Sequence, residues 1–404
     1  MDNNNNTLLE FDYPNTASSI IKVIGVGGGG GNAVQHMYHE GIHDVSFVIC
    51  NTDKQALFKS KVPVKLQLGK GLGAGGRPVV AKEAAEESVE DIKALLDDGT
   101  EMVFITAGMG GGTGTGAGPV VAKIAKEMGI LTVGIVTIPF MWEKEAKILQ
   151  ALNGVEEMSK NVDALLVINN ERLFDIYQGL SLFSCFEKAD ETLTIAAKSI
   201  AETITLPGYI NLDFADVKTI LKDGGVAIIS TGIASGNNRI AKAIENALHS
   251  PLVNNNNAFD AKKILFNISS SESVPLIMEE MTEINNFMAK FKSKNIEVIW
   301  GIAMDESLGE NVKITILATG FGIDSIPMMD KNTQIKRNEL SRQEEEKERE
   351  NAALIAKYYG DEHVKKMGKK THPKPYIFSL EDLDNDSVIE TVINNPAYNR
   401  NLIT

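Results

Sequence analysis

Two glycine runs and a pair of aspartates are the residues of this chain whose types and spacing could do chemistry. One run, "GVGGGGGN", occupies residues 25–32; the other, "GMGGGTGTGAG", spans 108–118 and holds seven glycines in eleven residues. Glycine inside a helix or strand costs about 0.5–1 kcal/mol relative to alanine, so such density fits a place that needs bare backbone. The partner that needs it is a phosphate, gripped by consecutive N–H groups where a strand turns into a helix. A flexible linker is the bland account. Linkers separate domains, however, whereas here the strand-like "EMVFITA" stands before the second run and the helix-like "PVVAKIAKEMG" closes it. The aspartates stand in "NLDFADV", where Asp213 and Asp216 are three residues apart. At the start of a helix that spacing turns both carboxylates one way, and it equally suits helix capping.

The first run alone satisfies G-x-G-x-x-G through Gly25, Gly27 and Gly30, and the next strand ends at Asp53, where a ribose-binding acid would stand. That is the fingerprint of a nicotinamide oxidoreductase. Such an enzyme needs a single pyrophosphate loop, whereas this chain has a second glycine run and a third, "GKGLGAGGRP", at residues 69–78. Loops converging at the carboxyl ends of successive parallel strands can enclose a triphosphate. No G-x-x-x-x-G-K-[ST] occurs, which excludes a P-loop. Phosphate charge must then be met by backbone N–H groups, helix N-termini and a metal.

The elements that must position these residues are legible around them. From residue 19 to 136, β-branched runs alternate with helical stretches, which predicts βαβ units and a parallel sheet. A single helix is expected over "VVAKEAAEESVEDIKALLDDG", and a helix of more than twenty residues over "LSLFSCFEKADETLTIAAKSIAETIT". Strands at "GGVAIISTGIAS", "AKKILFNISS", "NIEVIWGIAMDES" and "NVKITILATGFG", with two helices among them, predict a second α/β domain with a mixed sheet. After residue 326 the chain is highly charged and lacks core periodicity, then regains apolar residues in "VIETVINNPAYNRNLIT". The chain has 404 residues, a net charge of −14 and two cysteines, Cys50 and Cys185, expected as buried thiols. The charge argues against non-specific binding to nucleic acid or anionic membrane. The first residues lack the basic and apolar regions of a signal peptide, and no apolar run is long enough to span a bilayer; a cytoplasmic protein is expected.

"IKVIGVGGGGGNAV", "NTDKQAL", "AGMGGGTGTGAGPVVA" and "NLDFADV", in this order, resemble the motifs of the tubulin/FtsZ superfamily of GTPases, with the bacterial FtsZ branch the closer match. The resemblance covers roughly residues 20–323. It implies a Rossmann-like parallel-sheet GTPase domain, a long central helix and a smaller C-terminal α/β domain with a mixed sheet, with GTP or GDP and Mg²⁺ as cofactors. The expected divisions are a disordered tail at 1–18, the GTP-binding domain at 19–179, the core helix and its connection at 180–210, and the C-terminal domain at 211–325. A charged linker at 326–385 and a docking peptide at 386–404 follow. Carried over by residue, Gly28, Gly29, Gly30, Gly31 and Asn32 resemble the first phosphate loop, and Gly110, Gly111, Gly112, Thr113, Gly114 and Thr115 the signature loop. Glu143 and Lys147 match positions beside the ribose, Asn170 lies near sugar and base, and Phe186 and Asp190 match residues that stack on and hydrogen-bond guanine. A carboxylate there accepts from N1–H and N2–H, which adenine does not offer. Asn211, Asp213 and Asp216 match the loop that serves a neighbouring subunit's nucleotide; no protein metal ligand is expected.

The implied partners are further copies, head to tail, and membrane-tethering and regulatory division proteins read by the tail, at the mid-cell division site. No nucleic acid and no direct membrane insertion are expected. Three positions depart from the family. Lys147 replaces an arginine, Gly76-Arg77 is unusual in the third glycine loop, which is also short before Gly71, and "FMWEKEAK" replaces an Asn-Phe-Glu-Gly pattern. A GTP-binding scaffold that does not hydrolyse is a further alternative, against which the aspartate pair argues.

Overall fold

The computed structural model describes residues 19–326 apart from 43, 178, 180, 207, 250–259 and 290–295. The expected N-terminal tail, the docking peptide and all but the first residue of the linker lie outside the described residues. Strands β1 (Ile21–Val26), β2 (Val45–Asn51), β3 (Val64–Gln67), β4 (Met102–Gly108), β5 (Leu131–Ile138) and β6 (Ala164–Asn169) are all parallel, in the order β3-β2-β1-β4-β5-β6. The chain winds outward from β1 to β3 and then returns to the far side of β1 with β4. β1 and β4 are therefore neighbours at the point where strand order reverses. Loops at such a point part from each other and leave a crevice at the carboxyl ends of the strands. Both strands that flank it lead into glycine runs.

Every residue of β1 and β5 is buried, as a parallel sheet covered on both faces requires. Helices α3 (Pro78–Glu87), α4 (Val89–Leu96), α5 (Thr113–Glu127) and α6 (Glu145–Asn161) cover one face, where Ala81, Ile92, Val121 and Ala151 meet Ile24, Ile105 and Val136. On the other face, α1 (Gly27–Glu40), α8 (Leu182–Thr205) and α9 (Phe214–Leu221) bring Val34, Met37, Leu193, Ala197 and Val217 against Val23, Phe104 and Ile135. The short α2 (Lys54–Lys59) and α7 (Asn170–Ile176) follow β2 and β6.

In the C-terminal half, β8 (Gly225–Ala234), β9 (Lys263–Ser270), β10 (Glu297–Met304), β11 (Val312–Phe321) and β7 (Gly208–Ile210) lie in the order β8-β11-β9-β10-β7. β11 is antiparallel to β8 and β9, and β10 is parallel to β9, so this half is mixed as expected. Helices α10 (Arg239–Leu248) and α11 (Met278–Met288) close their own core around Phe266 and Ile316. The halves share one continuous eleven-stranded sheet, joined where Ala164, Leu165 and Leu166 of β6 pair with Gly225, Val226 and Ala227 of β8.

Three local expectations change. α1 and α5 begin inside the glycine runs, at Gly27 and Thr113, rather than after them. The helix expected over residues 79–99 is two, broken at Ser88, whose Oγ donates to Ala84 O and accepts from Gly69 N. A serine hydroxyl that bonds backbone in this way competes with the helix ladder. α6 had no counterpart in the sequence pattern, because Gly154 sits mid-helix and its first turn follows an irregular stretch. The long helix matches its expected span: Ser181 caps it by accepting from Ser184 N, and its 24 residues extend about 36 Å. Cys50 and Cys185 are free and buried, and burial pushes the Cys50 thiol up to about 12. Among the described residues no helix is long and apolar enough to cross a membrane.

Candidate functional site

A cleft of about 370 Å³ opens at the carboxyl ends of β1, β4 and β5. Its floor is backbone. Gly28, Gly29 and Asn32 come from the start of α1, and Gly108, Met109, Gly111, Gly112, Thr113 and Gly114 from the turn between β4 and α5. Neither helix has a side-chain cap at its N-terminus, and neither carries an acidic residue in its first turn. The first N–H groups of a helix have no partner inside it, and the helix dipole adds partial positive charge there. Two uncapped helix starts converging on one cleft form a site for an anion of several charges.

Two further positions need glycine for packing. A Cβ on Gly30 would stand 2.2 Å from Thr106 O, so bare backbone lets α1 lie against β4. Gly110 has φ of +96°, and a Cβ there would stand 2.9 Å from Lys147 O. Thr115 Oγ1 accepts from Gly110 N at 2.9 Å, and Thr52 and Thr113 share a hydroxyl hydrogen bond of 2.7 Å. Of the expected phosphate-loop residues, Gly30, Gly31, Gly110 and Thr115 therefore shape or flank the loops without lining the cleft.

The far wall is built for something flatter. Phe186, Ala189, Asp190 and Leu193 of α8 line it together with Asn170. Phe186 is 41% exposed and meets Phe140 and Trp142 edge-on, with centroids 5.5 and 6.5 Å away. Burial, and after it the charge of Glu187, pushes the Asp190 carboxyl from 3.8 up to about 7. Asn170 Oδ1 is buried and has no hydrogen-bond partner among the described residues. An acceptor stranded in this way costs about 1–3 kcal/mol, and a ligand N–H or O–H would remove that cost.

Between floor and wall stand Pro139, Glu143 and Lys147. Glu143 pairs with Lys147 and also accepts from Phe140 N at 2.9 Å, while Glu171 accepts from Met141 N at 2.8 Å. Lys144 has φ of +78° and ψ of +147°, a conformation suited to glycine, at the position where the family pattern carries glycine. The strain is of order 1–3 kcal/mol, and the two carboxylates clamping this segment hold it.

Other sequence candidates stand elsewhere. Asp53 caps α2, accepting from Gln55 N and Ala56 N at 2.8 and 3.4 Å, and does not line the cleft. Because Asp53 stands off the cleft, the nicotinamide reading is not supported. Asp213 Oδ1 accepts from Asp216 N at 2.9 Å, and Asp216 Oδ2 accepts from Asp213 N at 3.0 Å, a reciprocal cap on α9. Asn211 Oδ1 accepts from Gly208 N at 2.6 Å. None of these three lines the cleft. From Asp190 to the end of α8 is about 22 Å of helix, and the aspartate loop follows that end in the chain.

Thr137, Pro139, Ala189 and Leu193 were not anticipated. The last two follow Phe186 at helical spacing, a signal that was present; the first two are placed only by the neighbourhood of β4 and β5. Among the described residues no group of three or more His, Cys, Asp or Glu side chains is placed to hold a metal ion.

Residues 20–178 match the family model of the tubulin/FtsZ family GTPase domain, 225–322 that of the FtsZ family C-terminal domain, and 370–403 that of a further FtsZ C-terminal region. A cell division protein FtsZ of Porphyromonas gingivalis is 55% identical over 405 residues, taking in 97% of this chain and 88% of that protein. A solved empty FtsZ dimer of M. jannaschii is 41% identical with a TM-score of 0.68, over 74% of this chain and 88% of that one. CetZ2 of Haloferax volcanii, solved as a GTPγS-bound protofilament, shares the fold at 20% identity and a TM-score of 0.68, over 80% of this chain and 99% of that one. Glycine runs that open two uncapped helices onto one cleft, and matches that run nearly the length of the chain, lead to one conclusion: the chain belongs to the tubulin/FtsZ family of GTPases, in its FtsZ branch.

Proposed function

We propose that the protein is a GTP-hydrolysing filament former of bacterial cell division whose active site is completed by the next copy. The observation that carries this reading is the division of equipment. The cleft has uncapped helix starts for phosphates and an aromatic, carboxylate-bearing wall for a base, while the reciprocally capping carboxylate pair at the start of α9 lies outside the cleft lining.

In this reading Phe186 stacks on the guanine, and Asp190, as the carboxylate, accepts from N1–H and N2–H. Asn170 takes a donor of the base or sugar, and Glu143 contacts the ribose. Backbone N–H groups of the two glycine runs hold the phosphates, with Lys147 as the nearby cation. The cleft's described lining has carboxylates only at Glu143, which is paired, and Asp190 at the base end. No carboxylate of that described lining is left at the phosphate end, so Mg²⁺ would be held through the nucleotide and would supply charge neutralisation to its phosphates. The neighbour's Asn211, Asp213 and Asp216 approach from outside. Asp213 and Asp216, held in a fixed direction by their reciprocal cap, orient the attacking water. Hydrolysis then waits for assembly.

The solved FtsZ dimer and the CetZ2 protofilament support self-association. In this reading the tail, whose residues 370–403 match an FtsZ C-terminal family model, is read by membrane-tethering and regulatory division proteins at the mid-cell division site. The test is to add GTP and Mg²⁺ and to record light scattering and phosphate release together. Both are expected to rise above the same protein threshold. Phosphate release without scattering would show a site complete in one copy; scattering without release would favour the scaffold.

A further inference from the structure

We infer that Gln150 is a positioning residue that aims the N–H groups of Gly111 and Gly112 into the cleft. Gln150 lies on α6, one turn after Lys147. Its Nε2 donates to Gly110 O at 2.9 Å and Gly111 O at 3.0 Å, and reaches Gly76 O at 3.3 Å. Three carbonyls around one side-chain end admit only the amide nitrogen there, since its oxygen would repel all three.

The consequence follows from the planarity of the peptide. The C=O of one residue and the N–H of the next belong to one trans unit and point in opposite directions. No peptide of the described chain is cis. Drawing the carbonyls of Gly110 and Gly111 toward α6 therefore turns the N–H groups of Gly111 and Gly112 away from it. Both of these residues line the cleft, and among the described residues no acceptor takes either N–H. Three successive glycines would otherwise flip their peptides readily, because no Cβ restricts them. Gln150 converts that freedom into two preorganised donors, so ligand binding need not order them. Its contact with Gly76 also ties the third glycine loop to the same backbone. A neutral amide does this without adding charge beside the phosphates.

The inference rests on the cleft being a guanine-nucleotide site, and the test separates the two claims. Gln150→Met keeps length but cannot donate; Gln150→Glu keeps shape and is an acceptor. GDP and IDP affinities are measured for wild type and both variants, with thermal midpoints taken without nucleotide. IDP lacks the guanine 2-amino group, so the GDP/IDP ratio reads the base end alone. Both variants should bind GDP and IDP about tenfold more weakly, with an unchanged ratio and a midpoint close to wild type. Undiminished GDP affinity in Gln150→Glu would overturn the role, and so would a ratio that collapses along with the affinity, since that marks general loosening of the cleft. Wild-type protein that binds neither nucleotide would instead overturn the guanine reading itself.

Discussion

Two kinds of helix start stand in this chain. α1 and α5 begin in glycine, with no side-chain cap and no acidic residue in the first turn. α9 begins with Asp213 and Asp216 each accepting from the other's backbone N–H. In the first case the orphan donors are left for an outside anion. In the second, two carboxylates satisfy the donors internally and are themselves held rigid by doing so. The contrast shows why capping and catalysis are not rival accounts of the aspartate pair. A cap uses one lone pair of a carboxylate and leaves others exposed to a second molecule. The aspartates do not line the cleft, so under the proposed function each copy would carry a binding half and a reacting half that meet only between copies.

The comparison breaks most sharply on the aspartates. Asp213→Asn and Asp216→Asn keep a capping oxygen but remove the charge. Phosphate release should fall by about a hundredfold or more with GDP affinity nearly unchanged, as expected for groups acting on the transition state. Normal turnover in both variants would reduce the pair to a cap. Next in size is the loss at the binding half. Asp190→Ala should weaken GDP and GTP about tenfold or more, each factor of ten being about 1.4 kcal/mol. Mixing Asp190→Ala with Asp216→Ala should restore part of the hydrolysis, because the first lends an intact aspartate loop to nucleotide held by the second. Mixtures that co-sediment yet stay inactive would place both halves in one copy.

A smaller effect sharpens the binding half through pH. With Asp190 at about 7, a guanine bound as proposed would meet a carboxylate that is protonated below that value. GDP affinity should be flat above pH 7 and fall by up to about tenfold per unit below it. A calorimetric titration series across pH 5.5–8.5 reads this directly, and a flat profile would remove Asp190 from the base. The sign for folding is opposite. An acid raised from 3.8 favours the ligand-free fold most at low pH, and that contribution is lost as pH climbs to about 7. Smallest for the folded body is deletion of residues 396–404, which should leave turnover and scattering intact while abolishing capture by a membrane-tethering partner. Failure to polymerise after that cut would assign the tail to the body.

Much of this architecture was legible in residue order, and for local reasons. Alternation of β-branched runs with helical periods dictates βαβ units, and the apolar spacing along residues 182–205 dictates one long helix. Glycine density marks where backbone must be bare, because only a missing side chain allows it. What residue order left open was which bare backbone faces a ligand and which faces protein. Gly28 and Gly30 are two positions apart in one run, yet one lines the cleft and the other presses on Thr106. That choice depends on β4 lying beside β1, a contact between segments some eighty residues apart. Asp53 capping α2, Gln150 reaching three carbonyls, and Thr137 lining the cleft are of the same kind. Periodicity and glycine content act through each residue's own backbone, so the sequence alone determined them. A side chain's partners depend on which strands become neighbours, and only the tertiary structure decided that.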